Sequence, residues 1–157
     1  MRSVPAGHRW SQESVRELLR AVAPTGSRQL TESQREQLRG MVERRWQDRA
    51  GCAGSTDPVA WYPTEGCAPD RDAIRICAAC PVRRSCLAVA LLWDEDGIWA
   101  GTSPGRRRDG YRLLRAGVSM QTAVHLLLAE PARKSVTDAD DLVSPESGES
   151  QRSCEAA

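Results

Sequence analysis

Apolar residues recur at helical spacing along most of the chain. Val15, Leu18, Leu19 and Val22 follow an i, i+3, i+4, i+7 pattern behind Ser11, a natural N-cap, and Pro24 ends the segment. A helix is therefore expected from Ser11 to about Ala23. Thr31-Glu-Ser-Gln34 is a capping box that opens a second helix, expected to run to about Arg49 through Leu38, Met41, Val42 and Trp46. Residues 51–70 are rich in Gly, Pro, Asp and Thr and read as loop, with Asp57-Pro58 and Tyr62-Pro63 as turn punctuation. A helix is expected over Asp70–Cys80. Another runs from Val82 to about Trp93, with Pro81 in its first turn and Cys86, Val89, Ala90 and Trp93 at helical spacing. Two short helices, 105–116 and 119–129, flank Ala116-Gly-Val-Ser119, a C-terminal Gly followed by an N-cap Ser. From Thr137 onward the chain is acidic and Ser-rich, and a flexible, disordered tail is expected over 137–157. The fold class is mostly α, with no internal repeat.

Composition limits what such helices can bury. Of 157 residues, 40% are hydrophobic, none is Phe and 27% are charged, which suits one compact domain with tails and a small core. Small cores are often reinforced by disulfides, metals or clusters, and six Cys with five Trp point that way. No run approaches the roughly 20 apolar residues of a membrane span, and Met1–His8 lacks an apolar signal region. The expectation is a soluble, cytoplasmic chain without a membrane partner, where clustered Cys marks a metal or redox site more often than stable disulfides.

Charge is segmented. Residues 1–50 carry ten Arg against six acids and 51–103 carry four Arg against seven acids. Residues 104–115 hold Arg106, Arg107, Arg108, Arg112 and Arg115 against Asp109, and 137–157 hold six acids against Arg152. The arginine block has the spacing of a basic helix face suited to phosphates. Tyr111–Val124 also resembles the turn and second-helix entry of a helix-turn-helix, although its second helix is mostly apolar and equally suits packing or a partner. No nucleophile–base pair or phosphate loop is present, and His8 and His125 lie in an N-terminal tail and an apolar helix. Neither an enzyme nor a small-molecule substrate is expected, and no catalytic residue is assigned.

The strongest chemical signal is Cys77-Ala-Ala-Cys80-Pro-Val-Arg-Arg-Ser-Cys86. A C-x2-C step sets two thiolates on adjacent turns, and Cys86, one turn into the next helix, can converge with them. A fourth ligand must come from the loop that holds Cys52 and Cys67. Four thiolates satisfy either zinc or an iron–sulfur cluster, and spacing alone leaves both open.

Trp46-x5-Cys52, Asp57-Pro-Val-Ala-Trp-Tyr-Pro63, Cys77-x2-Cys80-Pro-Val-x3-Cys86 and Gly97-Ile-Trp-Ala-Gly101 occur in that order. In this the chain resembles the WhiB-like family, small actinobacterial and actinophage transcription regulators. The resemblance covers about residues 46–115. It implies one [4Fe-4S] cluster per subunit on Cys52, Cys77, Cys80 and Cys86, with Cys67 and Cys154 spare. It sets the boundaries of a cluster domain at 46–116, with a helical extension over 1–45 and an additional helix within 117–136. It also implies binding of the C-terminal domain of the principal sigma factor through Trp99, Trp61 and Tyr62. The turn would comprise Gly97, Ile98, Ala100 and Gly101, and the arginine block would touch promoter DNA. Attack on the cluster by oxygen or nitric oxide would then free thiols to form disulfides. A structural zinc, or a disulfide reductase acting through Cys77 and Cys80 in the apo form, are the alternatives. Ala100 departs from the family's second Gly, so a left-handed position there would force the turn to shift.

Overall fold

A computed structural model describes residues 11–22, 28–63 and 68–129. The expected end of the first helix at Ala23 and Pro24, as well as His8, Cys67, Cys154 and the acidic tail, lie outside the described residues. The described segments form six α-helices: α1 (Gln12–Ala21), α2 (Glu32–Arg39), α3 (Arg71–Ala79), α4 (Arg83–Trp93), α5 (Pro104–Arg115) and α6 (Met120–Ala129). Two single-turn 3-10 segments, Trp46–Arg49 and Val59–Trp61, lie between α2 and α3. Among the described residues the extended pairing is limited to an isolated bridge between Trp99 and Thr102.

The caps explain most boundaries. The Ser11 side chain accepts from the Ser14 amide, and Thr31 with Gln34 closes the full capping box. Asp70 receives the Asp72 and Ala73 amides at the start of α3, and Ser103 precedes Pro104 at the start of α5. Pro81 falls outside α4, whose N-cap is Val82.

The second helix is much shorter than the apolar spacing suggests. It stops at Arg39, and the Met41 and Val42 amides close tight turns onto Leu38 and Arg39. Tertiary structure accounts for the break. The buried Ser85 hydroxyl on α4 donates to the Met41 carbonyl at 3.1 Å and accepts from the Glu43 amide at 3.1 Å. These backbone groups therefore bond across the core to α4. Arg45 then takes a left-handed conformation (φ 56°) and sends Trp46 inward.

One apolar cluster joins the N-terminal helices to the rest. Val15 and Leu19 of α1 and Leu38 of α2 share it with Leu87, Ala88 and Leu91 of α4, Leu113 of α5, and Ala123, Val124 and Leu127 of α6. α6 buries Met120, Ala123, Val124 and Leu127, so it is a packing helix in this fold. Gly110 permits its close approach to α5, because a Cβ there would stand 2.7 Å from Leu127 Cδ1. Among the described residues no single helix is long and apolar enough to cross a membrane.

Candidate metal centre

Three segments deliver four free cysteines. Cys77 lies in the last turn of α3, Cys80 is its C-cap, Cys86 lies in the first turn and a half of α4, and Cys52 follows the Trp46–Arg49 turn. Cys77 is buried, Cys80 and Cys86 are half-buried, and Cys52 is exposed. The Cys52 loop is seated on α3 through Gly51. A Cβ at Gly51 would lie 3.3 Å from Ile76 Cγ2 and 3.7 Å from Cys80 Cβ, and the Gly51 amide donates to Cys80 Sγ at 3.4 Å.

The sulfur atoms sit in a space partly shut from water. Burial pushes the Cys77 thiol pKa up, while the Gly101 amide lowers it and the neighbouring Cys52 and Cys80 raise it further. Burial likewise pushes Cys86 up to about 12, against the Ala100 amide, with Cys77, Cys52 and Cys80 adding like-charge repulsion. Cys86 thus feels the other three thiols and Cys77 feels two of them, and backbone amides face three of the four sulfurs. The donor set is soft, unpaired and supplied with N–H donors, which fits a group held by thiolates. Among the described residues no three His, Cys, Asp or Glu side chains close around a single ion point.

The turn over this site runs Trp99-Ala-Gly-Thr102. Trp99 and Thr102 exchange backbone hydrogen bonds at 3.1 and 2.8 Å, and both central residues have positive φ, 55° at Ala100 and 78° at Gly101. That is a type I′ turn. Ala100 itself stands in the left-handed region. Its methyl tolerates the left-handed conformation, at a cost of roughly 1–2 kcal/mol, because the Trp99–Thr102 bonds and the carbonyl's contacts with Arg83 hold the backbone there.

The aromatic residues gather beside the turn. The half-buried Trp99 donates from its indole to the Asp96 carbonyl at 2.8 Å and meets buried Trp46 at 6.4 Å between ring centroids, tilted by 52°. The Trp61 carbonyl accepts from the Ile98 amide at 2.7 Å, and its indole donates to Ser55 Oγ at 3.3 Å. Tyr62 is exposed and its ring lies over Gly97. Trp93, at the end of α4, is 71% exposed and faces water. The pairing of Trp46 with Trp99 was missed because 53 positions separate the two residues in the chain.

The arginine block does not form one basic face. Arg107 is fully buried, donating to the Thr102 carbonyl at 2.8 Å, the Gly97 carbonyl at 3.0 Å and the Glu95 carbonyl. Arg106 is buried, donates to the Leu126 carbonyl and lies 3.8 Å from Asp109. Arg112 is buried between Asp109, at 3.1 Å, and the Leu19 and Val22 carbonyls of α1 and its C-cap. Arg108 is exposed and Arg115 half-buried. Arg106, Arg107 and Arg112, expected as phosphate contacts, are instead buried along α5, where their guanidiniums donate to loop and helix carbonyls.

A helical scaffold that gathers four free cysteines under a tryptophan-bearing I′ turn defines a cysteine-centred domain. A family model described as Transcription factor WhiB matches residues 46–109. Transcriptional regulator WhiB2 of Mycobacterium tuberculosis is 52% identical over 64 residues, covering 40% of this chain and 70% of the relative. Transcriptional regulator WhiB of Streptomyces coelicolor is 47% identical over 74 residues, 46% of this chain and 79% of the relative. Transcriptional regulator WhiB1 of M. tuberculosis is 35% identical over 68 residues, 40% and 80% respectively. The chain belongs to the WhiB family of transcriptional regulators. No solved structure matches it.

Proposed function

We propose that the protein is a redox- or nitric-oxide-responsive transcription regulator whose Cys52, Cys77, Cys80 and Cys86 hold one [4Fe-4S] cluster. The observation that carries this reading is the gathering of four unpaired thiols from three segments, with backbone amides of Gly51, Ala100 and Gly101 directed at sulfur. When bound, the group supplies redox-sensitive iron–thiolate chemistry. Hydrogen bonds to the sulfurs tune such sites. A zinc ion needs all four sulfurs at about 2.3 Å from one point, whereas a cubane gives each thiolate its own iron. The backbone N–H groups directed at three of the four sulfurs suit the second arrangement, whose potential such bonds adjust.

The turn then carries the partner surface. Trp99, Trp61 and Tyr62 are braced by Trp46, Ile98 and Gly97, and Trp and Tyr are the residues most often found as anchors of protein interfaces. We assign them to the C-terminal domain of the principal sigma factor. Arg108, exposed on α5, is the arginine of the block best placed for a promoter phosphate. Loss of iron would leave Cys77 and Cys80 free to enter disulfides. No catalytic residue is assigned.

The test is iron, sulfide and zinc content with a visible spectrum on the anaerobically purified chain and its single Cys→Ser variants. Four iron and four sulfide per chain, lost at any of Cys52, Cys77, Cys80 or Cys86 and retained at Cys67 and Cys154, is the expected result. One zinc with no visible band would overturn the cluster in favour of a structural site. Trp99→Ala should abolish sigma-factor binding with iron content intact, and unchanged binding would remove that interface.

A further inference from the structure

Arg83, the first residue of α4, is a half-buried cation beside the thiols. Its Nε and Nη2 donate to the Ala100 carbonyl at 3.3 and 3.2 Å, and Nη2 also donates to the Leu128 carbonyl at 3.3 Å. A Cβ on Gly101 would lie 3.7 Å from Arg83 Nη2 and 3.4 Å from Cys77 Cβ, so guanidinium and cysteine border the same small space under the turn. Among the described residues no carboxylate pairs with Arg83, in contrast to Arg106 and Arg112, which share Asp109.

A partly desolvated cation without a counter-charge is costly unless something anionic lies near it. The anionic chemistry at hand is the thiolate set. The Ala100 and Leu128 carbonyls hold the guanidinium in place beside Gly101. Adjacent Arg84 is exposed, where solvent screens its charge.

We propose that Arg83 is a positioning residue whose charge stabilises the more negative redox state of the group held by Cys52, Cys77, Cys80 and Cys86, and so raises its one-electron potential. This rests on the four-cysteine reading above. The change concerned is a one-electron reduction by an external donor such as dithionite, with no bond made or broken.

The experiment is a mediated redox titration of the anaerobically loaded full chain, in wild type, Arg83→Gln, Arg83→Lys and Arg84→Gln. Arg83→Gln should lower the ratio of reduced to oxidised protein about tenfold at a given potential, a negative shift of about 59 mV for one electron. Arg83→Lys and Arg84→Gln should stay near the wild-type value. An Arg83→Gln protein at the wild-type potential, or an equal shift in Arg84→Gln, overturns the assignment. If Arg83→Gln takes up no iron, Arg83→Lys decides: loading at the wild-type potential supports the role of charge, and failed loading or a shifted potential refutes it. Wild type without iron and sulfide would refute the four-cysteine reading and this inference with it. A loaded wild type with an unmoved Gln variant refutes Arg83 alone.

Discussion

Arg107 Nη2 on α5 donates to the Gly97 carbonyl at 3.0 Å, tying the helix that follows the I′ turn to the residue that begins the loop before it. With the Thr102 and Glu95 carbonyls on the same guanidinium, Arg107 closes the loop from three sides. Arg107→Met should leave these carbonyls unpartnered in the interior and cost about 3 kcal/mol in denaturant unfolding. Arg108→Ala, by contrast, should change stability by less than about 0.5 kcal/mol while flattening the salt dependence of DNA binding by about one unit of slope. Equal effects of the two substitutions on stability would contradict the distinction drawn between them.

Gly97 is constrained twice, by φ of 72° and by the Trp61 carbonyl, which a Cβ would approach at 2.6 Å. Gly117 is also left-handed, at 86°, but nothing lies within 4 Å of its Cβ position. Gly117→Ala should therefore lose only the left-handed strain of roughly 1–2 kcal/mol. Gly97→Ala should lose at least about 1 kcal/mol more, because Trp61 and Tyr62 must also move. Matched urea melts of the two variants measure the difference.

The link between Ser85 and the chain after α2 predicts that Ser85→Ala strands the Met41 carbonyl and the Glu43 amide. A loss of about 1–3 kcal/mol is expected, with faster hydrogen exchange at Glu43. Unchanged protection of the Glu43 amide would show that Ser85 does not hold this segment.

Tyr111 donates to the Leu91 carbonyl at 2.8 Å, and burial, with the nearby Asp94 charge, pushes its pKa up to about 12. The folded value exceeds that of the unfolded chain, about 10. Its stabilising contribution is therefore fully present below about pH 10 and lost as pH rises through about 12, up to about 2.7 kcal/mol for the two-unit difference. In a Tyr62→Phe background the tyrosinate absorbance should titrate near 12. Replacing Tyr111 with Phe should remove that part of the alkaline loss.

The capping chemistry of Ser11, the Thr31–Gln34 box, Asp70 and Ser103 acts within one turn of chain, so the starts of α1, α2, α3 and α5 were legible from local residues. The Cys77–Cys80–Cys86 spacing was legible for the same reason, as was the order of motifs that carries the family resemblance. Cysteines clustered at this spacing also declare a class of chemistry, whatever the packing around them. The stop of α2 at Arg39 could not be read this way, because it depends on a serine 44 positions beyond Met41. Nor could the inward turn of Arg106, Arg107 and Arg112. A run of arginines looks the same facing solvent or carbonyls, and only the approach of α1, α6 and the turn decides which. The left-handed Ala100 shows the same division: its intrinsic preference opposes the turn, and the hydrogen bonds of Trp99, Thr102 and Arg83 override it. Local preferences of about a kilocalorie per residue determine where helices begin, whereas long-range bonds between buried groups, costlier to leave unmade, determine where they end and which charges face inward.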